Sequence, residues 1–292
     1  MKKNKINGYS VFSNVFLTIA SIIFVMPVIM VVIMSVSSEN DIVRDGFKFI
    51  PNEFSVEAYR YVLKGFSSFG RAILVTLFGA VIGPFLNIFV NVLVAYPLSN
   101  DDFKYKGIIN KLLIFIMFVG PVGAASYVIS TKYYGLGNNI LIYIIPGCSP
   151  WTIFLFRTYF KNVPRALVES AQIDGASEFT VIVKILLPLS KAIFAIQYFL
   201  GFIGKWNDYY TSLLYMTESA FYNVQHFMMN ILDDLNFLAS AYARVGISTS
   251  GELPLNTMQY AICVFSIIPV ILLFPYMQKY FSKGIAVGSV KG

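Results

Sequence analysis

Long apolar runs separated by short polar segments dominate this sequence. Each of six runs is long enough to cross a hydrocarbon core of ~30 Å at about 1.5 Å of helical rise per residue. They lie roughly at residues 11–36, 69–98, 108–130, 139–160, 192–216 and 257–281. The chain is also 57% hydrophobic and only 13% charged, which excludes an ordinary soluble domain. The sequence therefore predicts an all-α membrane protein with six transmembrane helices.

The basic residues predict the orientation of these spans. If both termini are cytoplasmic, the inner segments carry fourteen Lys and Arg residues and the outer segments six. Such an excess is typical of cytoplasmic loops, so we expect both the N- and C-termini inside the cell. The net charge of +7 is spread over the loops, which argues against a nucleic-acid partner.

One polar stretch, residues 161–191, interrupts the apolar pattern. Glu169, Asp174 and Glu178 cannot lie in hydrocarbon, where each carboxylate costs several kcal/mol. Residues 164–173 predict a short helix, and the pair Asp174-Gly175 predicts a sharp break because glycine adopts positive φ easily. The chain is thus expected to leave the membrane here, present a helix and a turn to water, and return.

Small side chains cluster around that break. Ser170, Ala171, Gly175 and Ala176 would let the backbone of another protein approach closely. The alternative is an ordinary cytoplasmic loop between two spans, with no partner.

The run E-S-A-x-x-D-G-A followed by I-L-L-P resembles the EAA motif of ABC importer permeases. In that family the motif forms a coupling helix that docks into a cleft of the cytoplasmic ATPase. The resemblance implies ATPase-coupling roles for Glu169, Ser170, Ala171, Asp174, Gly175 and Ala176. Two positions depart from the commoner pattern, with Ser170 in place of Ala and Ala192 in place of a Pro.

Two spans carry polar or helix-breaking residues. In the second, Gly79 and Gly83 permit close helix packing, and Asn87 and Asn91 lie one turn apart on one face. The two amides either hold neighbouring helices together or face a polar substrate path. In the third, the run Gly120 to Gly123 predicts a kink, and the fourth span is expected to be broken around Pro146, Gly147 and Pro150.

The fifth span contains an unusual concentration of polar and aromatic residues. It runs Lys205-Trp206-Asn207-Asp208-Tyr209-Tyr210. Ionisable groups within a membrane indicate function, and Lys205 and Asp208 are spaced to pair with each other. Bonding to neighbouring helices is the alternative. The string also resembles the F-I-G-x-W-N-[DE]-[FY] stretch of carbohydrate-type ABC permeases, which implies a substrate path at Trp206 to Tyr210, with Asn87 and Asn91.

Two further segments lie outside the spans. The outer loop 217–256 contains the single histidine, His226, and either contacts an external partner or caps the bundle passively. The tail 279–292 resembles the ending of the same permeases and is expected to be flexible and basic. The resemblance implies that Lys283, Gly284, Gly288 and Lys291 contact the ATPase.

Several chemistries have no sequence support. No G-x-x-x-x-G-K-[ST] segment occurs, so the chain cannot cradle ATP in that way. No paired Cys/His set and no hydrolase motif occurs either, which makes an intramembrane hydrolase or glycosyltransferase a poor second class. We expect no metal site, no catalytic residue and no cofactor on this chain, with ATP and Mg²⁺ on a partner ATPase.

The resemblance implies a complete assembly. The chain is similar to the second, MalG-like permease of carbohydrate uptake systems, and to its polysaccharide-type (LplC/YtcP-like) members. This predicts one permease domain of the type I importer fold over residues 1–292, with a core at about 69–282. Implied partners are a homologous second permease, two ATPase subunits, an extracellular solute-binding protein, a carbohydrate and membrane lipid. The predicted location is the bacterial cell membrane; a permease for another solute is the alternative.

Overall fold

The computed structural model describes residues 8–64, 66–120, 123–245 and 254–289. Within these ranges the chain is helical, and strand pairing is limited to one isolated antiparallel bridge between Ser37 and Phe54. The α-helices are α1 (Gly8–Ser35), α2 (Glu39–Asp45), α3 (Glu57–Lys64), α4 (Phe66–Ser99), α5 (Lys106–Val119), α6 (Gly123–Val128), α7 (Pro150–Lys161), α8 (Arg165–Ile173), α9 (Glu178–Val181), α10 (Leu187–Leu189), α11 (Lys191–Trp206), α12 (Tyr209–Tyr215), α13 (Val224–Val245) and α14 (Leu255–Ser289). Short π-helical turns lie at Ile129–Tyr133 and Ile182–Leu186, and 3₁₀ turns at Ile140–Tyr143 and Ser219–Phe221.

The chain divides into two compact units. The first takes in the chain up to Ser67 together with Met228–Pro269, and the second takes in Ser68–Phe227 and the chain from Val270 onward. The polar stretch and the fifth-span residues singled out in the sequence both belong to the second unit.

Three helices among the described residues are long and apolar enough to cross a membrane, at Val11–Ser35, Ser67–Ser99 and Leu255–Tyr276. Two bent pairs raise that number to five if each pair is one span: Lys106–Val119 with Gly123–Tyr133, and Glu178–Leu189 with Lys191–Trp206. The all-α prediction is confirmed. The described residues do not contain six continuous membrane-spanning helices.

The fourth predicted span differs most from expectation. Residues 139–160 form a 3₁₀ turn, then a non-helical segment over residues 144–149, and only then α7, which has 12 residues. At about 1.5 Å per residue such a helix is far shorter than a ~30 Å hydrocarbon core. The predicted break near Pro146 and Gly147 is present, but it unwinds half of the span. In the third span the break also falls where predicted, since α5 ends before Gly120, whose φ is +69°.

Glu39 holds the start of α14 in the first unit. One of its carboxylate oxygens accepts from the backbone and side-chain N–H groups of Asn256, at 2.9 and 2.8 Å. The other accepts from the backbone N–H and the hydroxyl of Thr257, both at 2.9 Å. The two backbone N–H groups are among those that the first turn of a helix leaves unsatisfied, and a negative charge there also interacts favourably with the helix dipole.

Replacing Glu39 by Gln is expected to lower stability by about 1–2 kcal/mol, because charge-assisted hydrogen bonds become neutral ones and one acceptor becomes a donor. The effect is measured by heating the detergent-solubilised protein and recording the loss of its monodisperse size-exclusion peak. Glu53→Gln is the matched control, since no side-chain hydrogen bond of Glu53 is seen in the described part of the chain. Equal melting temperatures for the two variants would contradict the capping role.

The second unit packs around an apolar core built from several helices. Its buried members come from α4, α5, α7, α9, the Ile182–Leu186 turn and α11, and include Leu98, Phe156 and Ile193. The predicted small pair in α4 permits close packing, because a Cβ on Gly79 would lie 2.9 Å from that of Tyr143 and one on Gly83 would lie 3.0 Å from its carbonyl oxygen. Close approach of α4 to the 3₁₀ turn therefore depends on both glycines.

Two segments outside the predicted spans are helical in part. The outer loop 217–256 contains α13, a 22-residue helix, and its Gly/Ser/Thr-rich part lies outside the described residues. In the tail, which was expected to be flexible and basic, α14 carries the backbone of Lys283, Gly284 and Gly288 in a helix. Lys291 lies outside the described residues.

Candidate functional site

The polar stretch folds as a helix, a tight turn and a second helix. The predicted short helix is α8, and the predicted break follows it at Gly175, whose φ is +81°. The turn is closed by the N–H of Ala176, which donates to the carbonyl of Ala171 at 2.9 Å. Ser177 then caps the start of α9, its hydroxyl accepting from the N–H of Thr180 at 3.3 Å. Local chemistry alone accounts for this geometry, because glycine tolerates positive φ and serine caps helices well.

The six predicted coupling residues divide into two groups. Glu169, Ser170, Asp174 and Gly175 are exposed. Ala171 and Ala176 are half-buried and pack against the apolar core of the second unit. One face of the turn is therefore anchored to the helical body, while the other is free to contact a partner.

Exposed apolar side chains border this turn, and the sequence reasoning missed them. Ile173 is 87% exposed, and Leu167 and Phe179 are also exposed. Large apolar groups projecting beside carboxylates typify a protein contact surface. The sequence signal that could have revealed them is that these apolar residues occur in a segment too polar to lie in hydrocarbon.

Asn87 and Asn91 hold the unwound segment of the fourth predicted span. The side-chain N–H groups of both donate to the carbonyl of Gly147, at 3.1 and 3.0 Å. The side-chain oxygen of Asn91 accepts from the N–H of Ser149 at 2.8 Å. Asn91 is 0% exposed. Of the two roles considered for these amides, the geometry favours holding neighbouring segments together.

The fifth-span residues do not share one surface. Trp206 is only 2% exposed and stacks on Phe202, with ring centroids 6.2 Å apart. Asn207 and Tyr210 are exposed. Lys205 and Asp208 approach to 3.9 Å, as their spacing predicts.

Asp208 also begins a buried polar network that the sequence did not reveal. Its side chain caps α12 by accepting from the N–H of Thr211 at 3.0 Å, and its carbonyl accepts from the side chain of Asn223. Ser212 and His226 are both buried, and the hydroxyl of Ser212 lies 2.9 Å from Nδ1 of His226. Tyr209 and Tyr222 flank the His226 ring. His226 thus belongs to the packed body, where burial lowers its pKa.

An apolar helical body with broken spans, which exposes a helix and turn too polar for hydrocarbon, defines a class of protein: a membrane-embedded subunit with a segment outside the lipid. The comparisons with known proteins agree. The sequence matches the family described as "Binding-protein-dependent transport system inner membrane component" over residues 6–287. The chain belongs to that family.

Three similar proteins illustrate the match. Protein LplC of Bacillus subtilis (strain 168) is 30% identical over 286 residues, covering 97% of this chain and 95% of LplC. The polygalacturonan/rhamnogalacturonan transport system permease protein YtcP of the same strain is 32% identical over 279 residues, covering 95% and 96%. A crystal structure of a bacterial ABC transporter involved in the import of the acidic polysaccharide alginate contains a chain with a TM-score of 0.78 at 27% identity, covering 96% of this chain and 99% of that one.

The resemblance seen in the motifs is therefore confirmed over nearly the whole length. The chain is a multi-pass membrane permease component of an ABC transport system. It is not the catalytic part of that system, because ATP hydrolysis belongs to the partner ATPase.

Proposed function

We propose that this chain forms half of the translocation path of a type I importer for oligosaccharides or polysaccharide fragments. It has six membrane crossings and cytoplasmic termini, as the basic residues indicate. The observation that carries the proposal is the exposed turn at Gly175, anchored by Ala171 and Ala176 and bordered by Ile173. The polysaccharides that YtcP and the alginate importer transport favour a sugar over another solute.

The partner set follows from the family. A homologous second permease completes the path, and an extracellular solute-binding protein delivers the sugar. Two ATPase subunits bind from the cytoplasm, one at the turn around Gly175 (the coupling turn) and one at its counterpart in the second permease. ATP-driven closure of the ATPases moves α8 and the turn after it, and the cavity between the two permeases then opens outward in alternating access. A docked permease presents Gly175, Asp174 and Glu169 to the ATPase surface.

We expect a four-subunit core, with one copy of this chain, to purify together and to hydrolyse ATP faster in the presence of its binding protein and sugar. The sugar panel should pair uronate oligosaccharides with neutral oligosaccharides of equal length, because polygalacturonan and alginate are both polyanionic. ATP hydrolysis in reconstituted vesicles is the readout, and a Walker-motif mutant of the ATPase is the control. Stimulation by a non-sugar solute, with no response to any sugar, would favour the alternative substrate class.

A further inference from the structure

Asp101, in the turn between α4 and α5, forms ion pairs with three cations from different segments. Its Oδ1 lies 2.5 Å from Nζ of Lys106, which begins α5, and 3.0 Å from Nζ of Lys161, which ends α7. Its Oδ2 lies 2.6 Å from Nη2 of Arg165, which begins α8. Hydrogen bonds from Lys106, and to a lesser extent from Lys161, hold the pKa of the Asp101 carboxyl well below its ordinary value.

A second polar link joins α4 to α8 and α9. The hydroxyl of Tyr96, in the last turns of α4, donates to one carboxylate oxygen of Glu178, the first residue of α9. The other oxygen of Glu178 accepts from the side chain of Gln172 in α8, at 3.1 Å. The inner end of α4 is thus tied to both sides of the coupling turn.

An open cleft of about 900 Å³ lies among these segments. Residues of both polar links line it, including Tyr96, Asp101, Arg165 and Gln172. The cleft leaves part of α8 apart from the inner end of α4, where the two are joined by the packing of Val168 and Ala171 on the apolar core. The polar links add a second connection between them.

The exposure of these pairs indicates what they do. Asp101 and Arg165 are more than half exposed, at 55% and 59%, and ion pairs in water contribute little to folding stability. Three cations on three different helices nevertheless surround the Asp101 carboxylate. Because each cation is held by its own helix, the network restricts the directions in which α8 can move relative to the turn after α4. The cluster is therefore suited to transmitting a displacement rather than to holding the fold.

We propose that Asp101 is a positioning residue for transport: it makes α4 follow α8 when the ATPase displaces the coupling turn. The movement then reaches the unwound segment 144–149, which α4 holds through Asn87 and Asn91. This inference rests on the proposed function.

The test uses the complete transporter in vesicles and measures sugar uptake and ATP hydrolysis together. Asp101→Asn keeps the size of the side chain and removes its charge. We expect ATP hydrolysis within twofold of wild type, sugar imported per ATP reduced at least fivefold, and an unchanged melting temperature. Asp101→Glu should restore most of the ratio, and Arg165→Gln should lower it by a smaller factor.

Asp102→Asn is the matched control, because Asp102 is the adjacent acid and the described residues show no ion pair for it. A wild-type ratio in Asp101→Asn and in Arg165→Gln would overturn the inference while leaving the proposed function intact. So would equal loss of transport and folded protein in both variants, which would make the cluster purely structural. Wild-type vesicles that import no sugar with ATP would overturn the proposed function itself.

Discussion

The Gly175→Asp variant should reach the membrane in normal amounts and import at least tenfold less sugar than wild type. A Cβ at this position would meet no atom within 4 Å, so no clash arises inside the chain. The strain of a side chain at φ +81° is about 1–2 kcal/mol, which a packed turn tolerates. The added carboxylate instead stands beside Asp174 at the apex of the turn, where we propose that the ATPase approaches closely.

Two further substitutions separate size, charge and backbone strain. Gly175→Ala imposes the same φ with only a methyl group, and it should retain most of the transport. Gly175→Asn has the size of Asp without its charge and tolerates left-handed φ better than most residues. The measurements are import by uptake of radiolabelled sugar, membrane abundance by immunoblot, and copurification of the ATPase. Normal import by Gly175→Asp, with the ATPase retained, would show that this turn is not the coupling contact.

The second large effect is expected on stability, from Asn91→Leu. The Asn91 side chain is fully buried, and Leu has the same branching and the same number of heavy atoms, so the change removes hydrogen bonds without opening a cavity. The N–H of Ser149 then loses its partner, and the carbonyl of Gly147 keeps only Asn87. Each buried polar group left unsatisfied costs about 1–3 kcal/mol. We therefore expect a loss of roughly 2–4 kcal/mol and a fall in melting temperature of the order of 5 °C or more.

Asn87→Leu is the matched control, because Asn87 is only half-buried and its hydrogen bond to Gly147 duplicates one from Asn91. It should lower the melting temperature by less than half as much. Thermal unfolding in detergent gives the stability, and transport kinetics in vesicles separate the two roles considered for these amides. If Asn91→Leu keeps its melting temperature while the KM for sugar rises, Asn91 serves the substrate path instead.

The coupling turn was predictable from the sequence to within a residue or two. Its helix is limited by Pro164 before Arg165 and by Gly175 after Asp174, and these residues act through local backbone preferences. The exposed apolar border at Ile173 was not predicted, because exposure depends on which neighbours cover a side chain. The roles of Trp206 to Tyr210 in a substrate path remain predictions, although the burial of Trp206 leaves its ring no free face in this chain.

The sequence by itself determined that this is a helical membrane protein, where its helices break, and which stretch must face water. Those properties follow from hydropathy and from the φ preferences of glycine and proline, which act over a few neighbouring residues. Only the tertiary structure showed that Asn91 holds an unwound segment, that His226 is buried, and that Asp101 meets cations 60 and 64 positions away. Partners so distant in sequence are chosen by the packing of whole helices, and no local pattern records that choice.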